Sequence, residues 1–355
     1  MSGLTTHVID GPGNDAIEAF VYSDPRTLIY ASPAYIGLVA AETQSHPHWL
    51  TAQDASGLRA ALPLLVKRGA LGPVINSLAF YGSNGGAIVP DGDQQAWLAV
   101  VRAFDAFGER IGAVASTLIT NPLVEDHTLY EANLPHDLRD ERIGQFTVFP
   151  QDRQAVSLMA LFDDPRPRNI RKAQRSGLKV SRSQSDDAIA FLHATHDQNI
   201  RSINGLPKRL DFFQRLATSL PRDAWTIYLA EQDGERVAAL LLLYGNQTVE
   251  YFTPCVVEKH RSSQALPLLI HDAMVDAMAC GYRQWNWGGT WLTQDGVYAF
   301  KKKWGTRDIR YHYFTRLRSA DLLATTRDTL LREYPGFYVL PFSALACATA
   351  NQETK

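Results

Sequence analysis

Two stretches of this 355-residue chain concentrate side chains able to do chemistry. Residues 163 to 182, DDPRPRNIRKAQRSGLKVSR, set seven cations close together: Arg166, Arg168, Arg171, Lys172, Arg175, Lys179 and Arg182. Residues 296 to 314, GVYAFKKKWGTRDIRYHYF, place Lys301, Lys302 and Lys303 beside Tyr298, Phe300 and Trp304. Arginine offers a phosphate a bidentate fork and lysine offers it a point charge, so both stretches suit a phosphate-bearing ligand. The competing reading of the first is a solvated basic helix. A third stretch, EKHRSSQALPLLIHDAM, is a polar loop opening a helix. Its first-turn N–H groups, with Arg261 beside them, can hold a phosphate, pyrophosphate or carboxylate, unless Ser262 or Ser263 simply caps the helix. The rings of Trp285, Trp287, Trp291, Tyr298 and Trp304 can wall a site for a base or sugar. Trp285 and Trp287 fall on one strand face and are expected in the core, whereas the turn-like surroundings of Trp291 and Trp304 favour a cleft.

Other chemistries lack their residues. His193 and His196 stand at i and i+3, and His46 lies near His48, but neither pair has a third ligand at a metal-site spacing, so no metal is expected. No Gly-x-Ser-x-Gly elbow and no Gly-x-x-x-x-Gly-Lys-Ser/Thr loop occurs. Cys255, Cys280 and Cys347 are scattered, which suggests no disulfide framework and a reducing cytoplasm. The apolar N-terminal run of an export signal is missing, and no window approaches 18 uninterrupted apolar residues, so the chain is expected to be cytoplasmic without a membrane span. With a formal net charge of −2, a polyanion has to be met by a local patch.

The elements that must position these groups come in an α/β (α+β) order. The length favours two domains. Trp49 to Val66, WLTAQDASGLRAALPLLV, echoes Trp225 to Tyr244, WTIYLAEQDGERVAALLLLY, and each is followed by an aromatic strand and a Gly-Gly, at Gly85-Gly86 and Gly288-Gly289. NIRKAQRSG predicts a short helix closed by Gly177, LKVSRS a strand, and residues 183 to 224 only two modest helices. The expected division is 1–152, 153–340 and a tail at 341–355. A doubly wound dinucleotide fold is set aside, because no Gly-x-Gly-x-x-Gly opens a βαβ unit.

Strand, hairpin, strand, anion-competent helix, strand is the GNAT acyltransferase layout, and its duplication resembles the FemABX family of aminoacyl-transferring enzymes. The resemblance rests on RNIRKAQRSG, on SSQALPLLIHDAMVDAMACGYRQWNWGG, on FKKKWG and on the first-half FYGSNGGAIV, covering most of residues 50 to 315. It implies two tandem GNAT-like domains, each a mixed, mostly antiparallel sheet flanked by helices. It also implies an acceptor amine in a cleft and an acyl group delivered from aminoacyl-tRNA. Carried over by position, Arg168, Arg171, Lys172 and Lys301 meet phosphates of donor or acceptor. Two departures stand out. The long helical hairpin of cell-wall members has no room here, and HRSSQAL lacks the central glycine that lets a backbone approach a CoA pyrophosphate.

Acyl transfer to an amine needs a neutral amine, a stabilised carbonyl oxygen and a protonated leaving group. Lys301 is the candidate for oxyanion or phosphate stabilisation, and Tyr251 and Tyr298 are candidates for proton relay, against the alternative that each tyrosine is a core or rim aromatic. No tightly bound cofactor is expected; the acyl donor is a co-substrate. The first expectation is transfer from aminoacyl-tRNA to a small or phosphate-bearing amine. The second is an acyl-CoA dependent N-acyltransferase acting on an amino sugar or biosynthetic intermediate. A third, of another class, is a non-catalytic binding module with a basic cleft. The sequence leaves the acceptor and the oligomeric state open.

Overall fold

The computed structural model describes residues 3–79 and 84–346; Phe80 to Ser83 of the expected first-half motif, Cys347 and the rest of the expected tail lie outside them. The strands are β1 (Thr5–Asp10), β2 (His46–Asp54), β3 (Gly57–Gly69), β4 (Gly72–Asn76), β5 (Ala115–Ile119), β6 (Leu138–Val148), β7 (Lys179–Ser183), β8 (Trp225–Gln232), β9 (Glu235–Gly245), β10 (Thr248–Val256), β11 (Gln284–Thr290) and β12 (Arg307–Leu317). The helices are α1 (Asp15–Ser23), α2 (Pro33–Thr43), α3 (Gln94–Arg110), α4 (His127–Asn133), α5 (Ala155–Ala160), α6 (Arg166–Arg175), α7 (Asp186–Arg201), α8 (Leu210–Ser219), α9 (Ala265–Ala279), α10 (Asp295–Lys302) and α11 (Arg327–Glu333).

The chain divides into two compact units, residues 1–142 with those from 310 onward, and residues 143–309. The first carries strands in the order β1-β2-β3-β4-β5-β12, the second in the order β6-β11-β10-β9-β8-β7. Each unit repeats one plan: three antiparallel strands, a helix, then a strand parallel to the third. In the first unit these are β2, β3, β4, α3 and β5; in the second, β8, β9, β10, α9 and β11. The echo extends to an irregularity, because both hairpins slip register two pairs before the turn, between Ala52 and Gln53 and between Ala230 and Glu231. In the second hairpin Gln232 faces Glu235 across Asp233-Gly234, at φ 53° and 82°, the two left-handed positions a tight two-residue turn requires.

The units differ from the expected boundaries at 152/153 and 340. Tyr313 of β12 pairs with Ile119 of β5, and Trp285 of β11 pairs with Thr147 of β6, so each unit takes its last strand from the other half of the sequence. Local patterning marks a strand but not its partner, and the partner decides the unit.

In the second unit α9 is apolar on nearly every side, and Leu269, Ala273 and Met274 pack in one core with Leu240, Leu242 and Trp285. Helix α6 covers it with only Ile170 and Ala173, an i, i+3 pair, which leaves Arg168, Arg171, Lys172 and Arg175 exposed. In the first unit Val100 and Phe104 of α3 pack with Leu50 and Leu62. No described helix is long and apolar enough to cross a membrane.

Candidate functional site

The Gly-Gly segment of β11 is where the second unit departs from a regular sheet. Asn286 pairs with Phe146 and Gly289 with Gly144, so Trp287 and Gly288 oppose Gln145 alone, and Gly288 at φ 73° makes this bulge. A bulge leaves carbonyls without ladder partners, and Lys301 takes them up. From α10 its Nζ donates to Gly288 O at 3.1 Å, to Gly289 O at 3.2 Å and to Thr290 Oγ1 at 2.8 Å. Thr290 Oγ1 donates in turn to Gln145 Oε1 at 3.2 Å. Burial lowers the ammonium to about 8. All three of its N–H groups are engaged, so Lys301 supplies the site with local charge and a fixed backbone rather than a free donor.

Next to Lys301 in the chain, Phe300 meets a cation that sequence reasoning passed over. The Arg166 guanidinium stands 4.5 Å from the Phe300 ring centroid and 5.2 Å from that of Trp304. Its pKa is lowered by burial, with Tyr251 pulling the other way. Its Nε has no hydrogen-bond partner, and no carboxylate pairs with it among the described residues. Tyr251, whose hydroxyl is raised far above its usual range by burial, lies 4.8 Å ring to ring from Trp287. Arg166, Tyr251, Trp287 and Phe300 thus form a half-enclosed aromatic corner around one unneutralised cation. Its signal in the sequence was Pro165-Arg166-Pro167, two prolines fixing the first turn of α6 around the arginine.

Arg168, Arg171, Lys172 and Arg175 are exposed on α6, and none has a carboxylate partner among the described residues. Lys172 Nζ donates to Ser262 O at 3.2 Å, tying α6 to the turn before α9. That turn ends in Gln264, at φ 62°, and no side chain caps α9; Ser263 Oγ accepts only from Ala265 N, at 3.3 Å. The equivalent helix of the first unit is closed. Asp93 Oδ1 accepts from Gln95 N at 2.9 Å and from Ala96 N at 3.1 Å, which puts a carboxylate where an anion would sit. Only the second copy of the repeated plan keeps an anion-compatible helix start.

The remaining candidates are dispersed. Arg261 pairs with Glu258 at 2.7 Å. Tyr298 donates to Asp308 Oδ2 at 2.6 Å, which also accepts from Lys302 at 3.3 Å. Trp291 is about half exposed, at 49%. Trp304, expected in a cleft, is instead fully buried, stacked on Trp287 at 5.3 Å and edge-on to Phe162 at 5.0 Å. The lysines and glycine around it look turn-like in sequence, yet the turn closes over the core. Among the described residues no cluster of three or more His, Cys, Asp or Glu is placed to hold a metal.

Residues 166–302 match the family model described as an acetyltransferase (GNAT) domain, the segment holding α6, α9, the bulge and Lys301. A search of curated proteins finds no match. Among solved structures, the crystal structure of FemX superposes with a TM-score of 0.72 at 14% identity, over 87% of this chain and 97% of that one. L-PGS from Bacillus licheniformis gives 0.58 at 13% identity, over 93% and 99%. A tandem GNAT protein from the clavulanic acid biosynthesis pathway gives 0.53 at 12% identity, over 89% and 99%. At such identities the likeness is one of fold, and it agrees with the paired β2–β5 and β8–β11 plans and with the GNAT match lying in the second. The chain is therefore a protein of the duplicated GNAT fold, similar in fold to the crystal structure of FemX.

Proposed function

We propose that the protein is an aminoacyltransferase that moves an aminoacyl group from aminoacyl-tRNA to the amine of a small or phosphate-bearing acceptor. The observation that carries this reading is the run of carboxylate-free cations on α6. The helix has 10 residues and so is about 15 Å long, more than one pyrophosphate spans and suited to successive phosphates of a nucleic-acid backbone. Arg168, Arg171 and Lys172 meet those phosphates, and the α9 N-terminus lies beside them through the Lys172 to Ser262 contact.

In the reaction the acceptor nitrogen attacks the ester carbonyl of the aminoacyl group. The C–N bond forms, the C–O bond to the ribose breaks, the nitrogen loses a proton and the ribose oxygen gains one. Arg166, held against Phe300 and without a carboxylate, stabilises the negative charge that builds on the carbonyl oxygen or sits on a neighbouring phosphate. Lys301 is a positioning residue that holds the Gly288 to Thr290 bulge. Tyr251, in contact with Trp287, is the proton-relay candidate facing Arg166.

The GNAT acetyltransferase match favours a second reading, in which acyl-CoA is the donor and the α9 N-terminus takes its pyrophosphate. Incubating the protein with radiolabelled aminoacyl-tRNA, and separately with acyl-CoA, each with a pool of candidate amines, separates the two. Amine-dependent loss of the ester from tRNA supports the first. Amine-dependent release of free thiol from CoA supports the second, and consumption of neither donor argues against both.

A further inference from the structure

The repeated plan leaves a hollow at one place in each unit, where the start of one hairpin strand, the end of the next and the C-terminal end of the helix meet. In the second unit Thr226, Tyr244 and Asp276 line it; in the first, His48, Val66 and Phe107 do. The two copies differ in charge. The second-unit hollow has Asp223 and Asp276 in its wall, and Arg182 there stands 3.6 Å from the Asp276 carboxylate. The first-unit hollow, of about 470 Å³, has neither Asp nor Glu among the described residues that line it.

Val66, Phe107 and Ile111 give the first-unit hollow its apolar wall, and Gln44, Ser45, His46, His48 and Arg68 complete it. Arg68 follows Val66 on the same face of β3. It is exposed and has no carboxylate partner among the described residues. The carbonyls that end α2 would repel an anion, but Lys67 takes them up, its Nζ donating to Thr43 O at 2.7 Å and to Gln44 O at 3.3 Å. At the end of α3 a second cation, Arg110, lies 5.1 Å from the Phe107 ring centroid. Asp10 of β1 stands outside the lining, 3.1 Å from His48 Nδ1 and 3.7 Å from His46 Nε2. It pairs with His48, which faces Leu64, and from there Arg68 is roughly 13 Å further along β3 at about 3.3 Å per residue. The end of the hollow marked by Arg68 is therefore cationic and open.

We propose that this hollow binds a small organic carboxylate, its anionic group on the Arg68 guanidinium and its hydrocarbon body lying against Val66, Phe107 and Ile111. A guanidinium offers a carboxylate a two-pronged, charge-assisted contact. An ammonium would meet Arg68 as a like charge, and an uncharged alcohol would forgo the charge-assisted bond. The site is composed of first-unit residues and stands whichever donor the second unit uses.

Isothermal titration of the full chain with phenylacetate, phenethyl alcohol and phenethylammonium tests this. Phenylacetate is expected to bind at one site about fivefold or more tighter than the alcohol, a gap of roughly 1 kcal/mol, with the ammonium not binding. Arg68→Gln should abolish the preference for the acid over the alcohol while leaving the thermal midpoint near that of the wild type, because the residue is exposed. Ile111→Trp, which fills the hollow from its wall, should weaken the acid and the alcohol alike. Arg182→Gln, in the equivalent hollow of the second unit, should leave phenylacetate binding as it is. Equal binding of acid and alcohol, binding unchanged in both Arg68→Gln and Ile111→Trp, loss of binding in Arg182→Gln, or no binding of phenylacetate would each overturn the assignment.

Discussion

Lys301 Nζ and Thr290 Oγ1, both buried, meet at 2.8 Å beside the bulge of β11, so a lysine matched to a catalytic-looking motif spends its donors on the geometry of that segment. Lys301→Ala should lower the transfer rate at least roughly tenfold, about 1.4 kcal/mol in the barrier. If the residue acts by holding the bulge, Thr290→Val should reproduce part of that loss in kcat with KM for the donor little changed. A full rate in Lys301→Ala would remove it from the machinery altogether.

The α6 patch makes a prediction about salt. Donor binding that uses successive phosphates weakens linearly in log–log form, each contact contributing about 0.7 to 0.9 to the slope. Arg171→Gln combined with Lys172→Gln should reduce the slope measured by filter binding of aminoacyl-tRNA by roughly 1.5, and leave thermal stability nearly unchanged because both side chains are exposed. An identical slope in the double variant would place the nucleic acid elsewhere.

Two tryptophans that look alike in sequence should behave oppositely. Trp304→Ala opens the core between Phe162 and Trp287 and is expected to cost about 3 to 5 kcal/mol in urea unfolding. Trp291→Ala, at a half-exposed position, should change stability by less than roughly 0.5 kcal/mol. Comparable losses in the two variants would contradict the burial described above.

His196 supplies a pH dependence. Its Nε2 accepts from the backbone N–H of Lys208 at 3.2 Å, which requires a neutral ring, and burial lowers its pKa to about 4. A folded-state value below the unfolded one near 6.5 means that the unfolded chain binds the extra proton first. The stability His196 contributes is therefore present above about pH 6.5 and is lost as the pH falls toward 4. Urea midpoints of wild type and His196→Gln, compared at pH 7 and pH 4.5, should show the wild type losing more; parallel losses would assign the acid sensitivity to other groups.

Much of this was legible in the chain. The two strand-turn-strand echoes, the cations of α6 and the glycine that closes it are local patterns, and local patterns survive folding. Three features were not. The pairing of β12 with β5 is a long-range choice that period-two alternation does not encode. Trp304 sits among lysines whose aliphatic stems let charge ride at the edge of a core, so its neighbours gave a false surface signal. Arg166 was one basic residue among seven until the rings of Phe300 and Trp304, more than a hundred residues away, set it apart.

The traded strands bear on how such a protein can be taken apart. Gene fragments cut near residue 152 would each encode a sheet missing its final strand, with β5 or β11 left as a bare hydrogen-bonding edge. A designer wanting the second lobe alone would have to begin before Ile143 and stop before β12, and expression of the two fragments from separate genes should yield soluble protein only when both are made in the same cell.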